Sequence, residues 1–318
     1  MKLLLVTAAL VIGLIGMMTP WAPLRELIDT DPAVAHLLLV ELRLPRVLLA
    51  LGYGATLGLT GAALQAIFAN PLASPDITGS SSGAALGAVL GGYFLGLTGP
   101  LLLAGCGAAG ALLALLLLLG LAGRRADSSS LLLAGLAISL AAGALTSLAL
   151  ALAPSPFAFY DAFDWLMGSL EDRSLRQVAA ALIPAAAAGL WLARYSGTLD
   201  RLALGEDVLA SLGHDPSRLR TEVVIASAIA VGACVSVCGS VGFVGLIAPI
   251  AARRLTRGHP GRALVPAALI GAILLSAADL LTRLAPLGRA IPLGVITAAL
   301  GTPIFLWVLL RMRWRLTS

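Results

Sequence analysis

The chain of 318 residues is short of charge: 12% of its residues are Asp, Glu, Lys or Arg, where a soluble globular chain carries about 25%. Apolar residues make up 59% and fall in long blocks. That excludes a soluble enzyme or binding domain and reads as an all-α, polytopic membrane protein. Lysine is almost missing. Of 21 basic side chains one is a lysine, Lys2. A Walker A loop needs Gly-x-x-x-x-Gly-Lys-Ser/Thr, with the lysine reaching the phosphates. The chain therefore does not hydrolyse ATP by a P-loop, and any ATP motor has to be another polypeptide. Cysteine is scarce as well. Cys106, Cys234 and Cys238 lie in apolar stretches with no histidine nearby to complete a metal site, so they read as small packing residues and the metal expectation is none.

What is present is organised as apolar blocks of spanning length. Ten helices are expected, at about 3–19, 46–68, 79–97, 100–121, 130–152, 177–195, 221–238, 241–255, 263–284 and 291–311. At about 20 residues each they use most of the chain, so residues 1–318 form a single transmembrane unit. The eighth is short for a full crossing. The first block could be a signal-peptide core, but Pro20, Trp21 and Ala22 make a poor cleavage site, which favours a retained helix. The side holding Lys2, Arg124, Arg125, Arg201, Arg218, Arg253 and Arg257 carries about twice as many basic residues as the side holding Arg25, Arg43, Arg46, Arg173, Arg283 and Arg289. The positive-inside rule thus puts both termini in the cytoplasm. Glycines 79, 83, 87 and 91 recur every fourth residue, and Gly54 and Gly58 repeat the spacing. Small residues so placed let helices approach closely in lipid. Packing alone explains them; a helix lining a pathway is the alternative.

Several polar features interrupt the apolar pattern. Asn70, Pro71, Leu72 and Ala73 follow the second span, and proline biases Asn70 away from helix. The break reads first as a turn and second as a constriction at the cytoplasmic mouth. Ser128, Ser129 and Ser130 open the fifth span, either as an N-cap cluster or as a polar lip on that mouth. The loop at 196–220 contains LALGEDVLASLGHDPSRLR. Leu202, Leu204, Val208, Leu209 and Leu212 are apolar beside Glu206 and Asp207, and Gly213 can stop a helix. A short surface helix offering an apolar ridge to a soluble partner is favoured over one lying on lipid, which usually has a basic polar face. On the opposite side stand Arg43, Arg46 and Arg283. They are either snorkelling headgroup arginines or a pad for an acidic protein. Asp279 lies four residues before Arg283, so the two are expected to pair along one helix, which argues against a proton relay.

Together these strings resemble the iron-siderophore, haem and cobalamin permeases of ABC importers, the FecCD or BtuC-like group. The resemblance rests on LRLPR, GAALQAIFANPLASPDITGSSSGAALGA, SSLLLAG, WLMGSL, LGEDVLASLG, GSVGFVGLIAP and the stretch 291–310. It covers nearly the whole chain and implies the type II importer permease fold. It further implies two permease subunits around a central path, expected here as a homodimer, in the bacterial inner membrane. Two ATPase subunits would drive it, with ATP and Mg bound on them and no cofactor on this chain. A periplasmic or surface substrate-binding protein would feed it. By resemblance, Asn70, Pro71 and Leu72 with Ser128 and Ser129 match the translocation gate. Leu204, Gly205, Glu206, Leu209, Leu212 and Gly213, within coupling helices at about 202–213, match the ATPase docking site. Arg43, Arg46 and Arg283 match binding-protein docking. The chain departs from the family pattern at Ile250, where histidine often follows Pro249, and at Ala290, where glutamate is common.

The expectation is a non-catalytic permease subunit importing a metal-chelate, a ferric siderophore first and cobalamin or haem as the alternative. An ion-coupled carrier is the rival from another class. It would want intramembrane acids, and Asp279 is the one clear candidate.

Overall fold

The computed structural model describes residues 1–97, 99–123, 128–284 and 291–316. Arg124, Arg125, Arg289 and Ala290, which entered the reading of the sequence, lie outside the described residues. In chain order the helices are α1 (Lys2–Met18), α2 (Trp21–Thr30), α3 (Pro32–Leu37), α4 (Leu44–Ile67), α5 (Ser80–Phe94), α6 (Pro100–Ala122), α7 (Ser128–Ala151) and α8 (Pro156–Leu166). They continue with α9 (Leu175–Ala193), α10 (Ser196–Leu202), α11 (Glu206–Ser211), α12 (Pro216–Cys238), α13 (Val244–Leu255), α14 (Leu264–Leu284) and α15 (Leu293–Leu316). The ten expected spans correspond to α1, α4, α5, α6, α7, α9, α12, α13, α14 and α15. The short helices α2, α3, α8, α10 and α11 were not among them.

Among the described residues, six stretches are long and apolar enough to cross a membrane, among them Pro32–Ile67, in which α3, a π-helical segment (Leu38–Arg43) and α4 run on as one rod. Of the other spanning helices, α1 has 17 residues, α5 has 15 and α13 has 12. α13 starts from non-helical backbone and α5 follows a 3₁₀ turn at Pro75–Thr78, and these lead-in segments take up part of the crossing.

Membrane helices gain no hydrophobic force from touching one another, so contact geometry decides their packing. The glycines supply it. A Cβ on Gly58 would lie 2.0 Å from the Ala267 carbonyl oxygen of α14, and one on Gly61 would lie 1.9 Å from Gly245 O of α13. A Cβ on Gly87 would lie 2.3 Å from Cys106 O of α6. The ladder after position 79 is thus packing, chiefly of α5 on α6. Buried α4 and α12 form the centre, with Tyr53, Leu64, Val223, Cys234 and Cys238 inaccessible to solvent. The outer faces of α1, α6 and α7 expose leucines such as Leu3, Leu116 and Leu140, as a lipid-facing surface should.

Candidate functional site

The break after α4 is a turn whose arms run deep. Ala69 takes φ +45 and ends the helix. The Asn70 side chain then accepts a hydrogen bond from the Leu72 amide at 2.9 Å, and the Asn70 carbonyl accepts from the Ala73 amide at 3.1 Å. An Asx turn of this kind is what Asn-Pro favours. At its foot, the Ser128 hydroxyl at the start of α7 donates to Ile67 O, the last residue of α4, at 3.3 Å. Asn70, Pro71, Leu72 and Ser128 are therefore brought to one place; Ser129 is beside them and exposed.

Beyond the turn the chain climbs back. The hydroxyl of Ser139, three turns further along α7, donates to Asp76 O at 3.0 Å, which places Asp76 about 16 Å from the foot of α7. Backbone at that depth has to be shielded and satisfied internally. Ala73 is inaccessible, and Thr78 donates to Pro75 O at 2.8 Å. Pro75 packs so closely on α13 that a Cβ on Gly245 would lie 2.7 Å from its Cδ. Gly79 turns the chain into α5 at φ +75. A second acid, Asp76, thus stands at membrane depth. Reading the sequence missed it because Ser-Pro-Asp-Ile-Thr-Gly looks like an aqueous loop, although Ser74 and Pro75 ahead of a helix beginning only at Ser80 were the available signal.

At the other end, three strings at helix ends meet through their backbones. The Ser169 amide donates to Cys238 O at 2.9 Å, the Leu293 amide to Gly168 O at 3.1 Å, and the Gly294 amide to Met167 O at 2.9 Å. Gly239 sits where a Cβ would lie 2.2 Å from Trp165 O, and Tyr53 donates to Gly239 O at 3.2 Å. WLMGSL, GSVGF and the start of the last helix are one knot of backbone, which is why each string is glycine-bearing. Beside it a cleft of about 190 Å³ is lined by Arg46, Asp164, Glu171, Asp279 and Thr282 among others.

The three arginines expected as a docking pad all find partners within the chain. Arg46 bonds Asp279 Oδ1 at 2.7 Å, Glu171 at 2.8 Å and Thr282 at 2.9 Å. Arg283 takes the other Asp279 oxygen at 2.5 Å and donates to Gly16 O at 2.6 Å. Arg43 donates to Met17 O at 2.8 Å and Pro20 O at 3.0 Å. The physical reason is desolvation. A guanidinium held among packed helices must find acceptors, and the free carbonyls at the end of α1 together with Asp279 supply them. The expected pairing of Asp279 with Arg283 is present, with Arg46 as a further partner.

The loop after α9 folds as α10 and α11, so the helix expected over about 202–213 is confined to Glu206–Ser211. Gly205 at φ +111 and Gly213 at φ +81 bracket it. Leu204, Val208 and Leu212 are exposed by 67%, 40% and 54%, while Leu209 is fully buried. The apolar ridge is therefore real, and Leu209 is its anchor rather than part of its outer face. Glu206 is likewise engaged, pairing with Arg220 of α12 at 2.6 Å. Arg201 and His214 meet at 2.9 Å. Asp200 of α10 accepts from the Gly261 amide ahead of α14 at 2.7 Å. α11 is thus joined to α12 by an ion pair, and α10 to the start of α14 by a hydrogen bond.

Comparison with known proteins bears on the family and the fold. The profile of the FecCD transport family matches residues 1–311. The vitamin B12 import system permease protein BtuC of Vibrio cholerae is 41% identical over 282 residues, 85% of this chain and 82% of that one. Its namesake from Citrobacter koseri is 40% identical over 297 residues, 90% and 86% of the two chains. A solved transporter assigned to the metal-chelate type of ABC transporter, in an inward-facing conformation, superposes with a TM-score of 0.87, 29% identity and 98% coverage of both chains. PsaBC from Streptococcus pneumoniae shares the fold at a TM-score of 0.53 and 18% identity, over 90% and 94% of the chains. The chain belongs to the FecCD transport family, as a multi-pass inner-membrane permease with the fold of ABC importers.

Proposed function

We propose that this chain is the membrane subunit of an ATP-driven importer of a corrinoid, with cobalamin the expected cargo. The observation that carries the cargo is the 41% and 40% identity, over most of both chains, to permeases named for vitamin B12 import. A ferric siderophore or haem, expected ahead of or beside cobalamin from the strings alone, becomes the second reading. The superposition on a transporter of the metal-chelate type favours it.

Two copies would enclose the path, ATPases would bind Mg and ATP on the cytoplasmic side, and a binding protein would deliver cargo from outside. The exposed ridge of Leu204, Val208 and Leu212 supports an ATPase contact. Gly205 and Gly213 set the helix that carries it, and Glu206 and Leu209 transmit its movement inward. The gate reading for Asn70, Pro71, Leu72, Ser128 and Ser129 is supported by their meeting at the foot of α4 and α7. Closure of the ATPases would tilt α11, pull α12 through the Glu206–Arg220 pair and shift the α4–α7 contact, as expected of a two-state lever.

The test is reconstitution in liposomes with the cognate ATPase and binding protein. Cobalamin-loaded binding protein is expected to stimulate ATP hydrolysis and cobalamin accumulation. Stimulation by a ferric siderophore and not by cobalamin would install the second reading.

A further inference from the structure

A cationic pocket stands against the start of α1. It has a volume of about 530 Å³ and is lined by Met1, Lys2, Ser196, Leu255, Thr256, Arg257, His259, Gly261, Arg262 and Val265. Its walls are the beginning of α1, the end of α13 and the start of α14. Lys2, Arg257 and Arg262 are all exposed. One carboxylate, Asp200, is paired with Arg262. It lies 3.7 Å from the Arg262 guanidinium and already accepts from the Gly261 amide at 2.7 Å and the Arg262 amide at 3.4 Å. Positive charge therefore exceeds negative charge in the pocket.

Its placement says which anion fits. Leu3, Leu4, Leu10 and Leu14 of α1 are exposed by 76%, 70%, 60% and 62%, so α1 faces lipid from its first turn onward. The pocket opens where that lipid-facing helix begins. Leu255 and Val265, exposed by 44% and 46%, give the same pocket an apolar flank. Arg257 is held at φ +53, a conformation that favours glycine or asparagine. An arginine there is a residue kept at a conformational cost. Cations grouped with an apolar flank at the membrane surface match a phosphodiester joined to acyl chains, the pattern by which basic pockets between spanning helices hold anionic head groups.

We propose that Lys2, Arg257 and Arg262, with Leu255 and Val265, form a binding site for the head group and upper chain of an anionic phospholipid. This rests on the membrane placement of the chain and not on its cargo.

The purified permease in detergent is titrated with phosphatidylglycerol, phosphatidylcholine or inorganic phosphate, and bound lipid is counted by native mass spectrometry. Phosphatidylglycerol is expected to be retained in preference to phosphatidylcholine, and millimolar inorganic phosphate is expected not to displace it. Arg262→Gln leaves the two backbone bonds to Asp200 in place, and Arg257→Asn suits the left-handed backbone. Each charge removed is expected to weaken retention about fivefold, and the double variant about 25-fold. Arg25→Gln, on exposed α2, should leave retention unchanged. The melting temperature of each variant in lipid-free detergent separates loss of a site from loss of the fold, and if a variant does not fold, Lys2→Gln supplies the reading. Equal retention of the two lipids, displacement by inorganic phosphate, or unchanged binding in folded variants would overturn the proposal. So would loss of ATPase co-purification with lipid retention unchanged, which would assign the patch to the ATPase.

Discussion

Asp279 is bonded at both carboxylate oxygens by arginines from two helices, at 2.7 Å to Arg46 and 2.5 Å to Arg283. Removing one member of such a buried set strands the others, so Asp279→Ala is expected to cost about 3–5 kcal/mol, while Arg43→Gln loses only bonds to carbonyls and should cost less. Thermal unfolding in detergent checks the order, and a silent Asp279→Ala would show that the network does not hold α4 to α14. The i, i+4 pairing of Asp279 with Arg283 was legible, because helix periodicity brings those positions together. The third partner was not, because Arg46 lies more than 200 residues away and only the packing of α4 on α14 brings it near. The carbonyl partners of Arg43 and Arg283 were hidden for the same reason. A sequence shows that a charge flanks a span, but the acceptors at the end of α1 exist only once α1 has docked.

At the scale of the element, α11 and the residues that flank it divide their leucines between two duties. Leu209→Ala removes a fully buried side chain and is expected to cost about 2–5 kcal/mol of stability. Leu204→Asp and Leu212→Asp alter exposed positions. They should leave the melting temperature within about 1 °C of the parent, a surface effect, yet abolish co-purification of the ATPase. If the exposed changes unfold the protein, or Leu209→Ala alone releases the ATPase, the two duties are assigned the wrong way round. The close approach of α4 to α14 makes a parallel case. Gly58→Val pushes a side chain against a backbone oxygen 2.0 Å from its Cβ. It is expected to lower yield and melting temperature as overpacking does, whereas a change at Gly105, which meets nothing within 4 Å, should be tolerated. The ten spans were readable because apolar blocks of spanning length have one solution in a bilayer. The short elements were less so. α8, α10 and α11 have 11, 7 and 6 residues, too few to establish a period, and the ascent from Asn70 to Asp76 has no period at all.

For the whole molecule, the source of energy separates an ATP-driven permease from an ion-coupled carrier. A carrier needs an acid that can gain and lose its ion within the membrane. Asp279 is held by two arginines at the edge of the bundle, and Asp76 stands about 16 Å along α7 from the turn at Asn70. The two acids sit in separate surroundings and form no continuous relay. Direct contacts run instead from the exposed ridge around α11 through Glu206 and Arg220 into α12, and from α10 through Asp200 to the start of α14. On the proposed function, both routes begin at the surface that an ATPase would move. Liposomes holding this chain alone are therefore expected to pass no cobalamin under an imposed proton or sodium gradient, and to do so only when the ATPase, ATP and binding protein are added. Glu206→Gln should then lower transport per ATP hydrolysed more than hydrolysis itself, because it weakens the link while leaving the motor intact. Gradient-driven flux without the ATPase would transfer the driving force to the membrane acids, and Asp76→Asn would be the substitution that stops it.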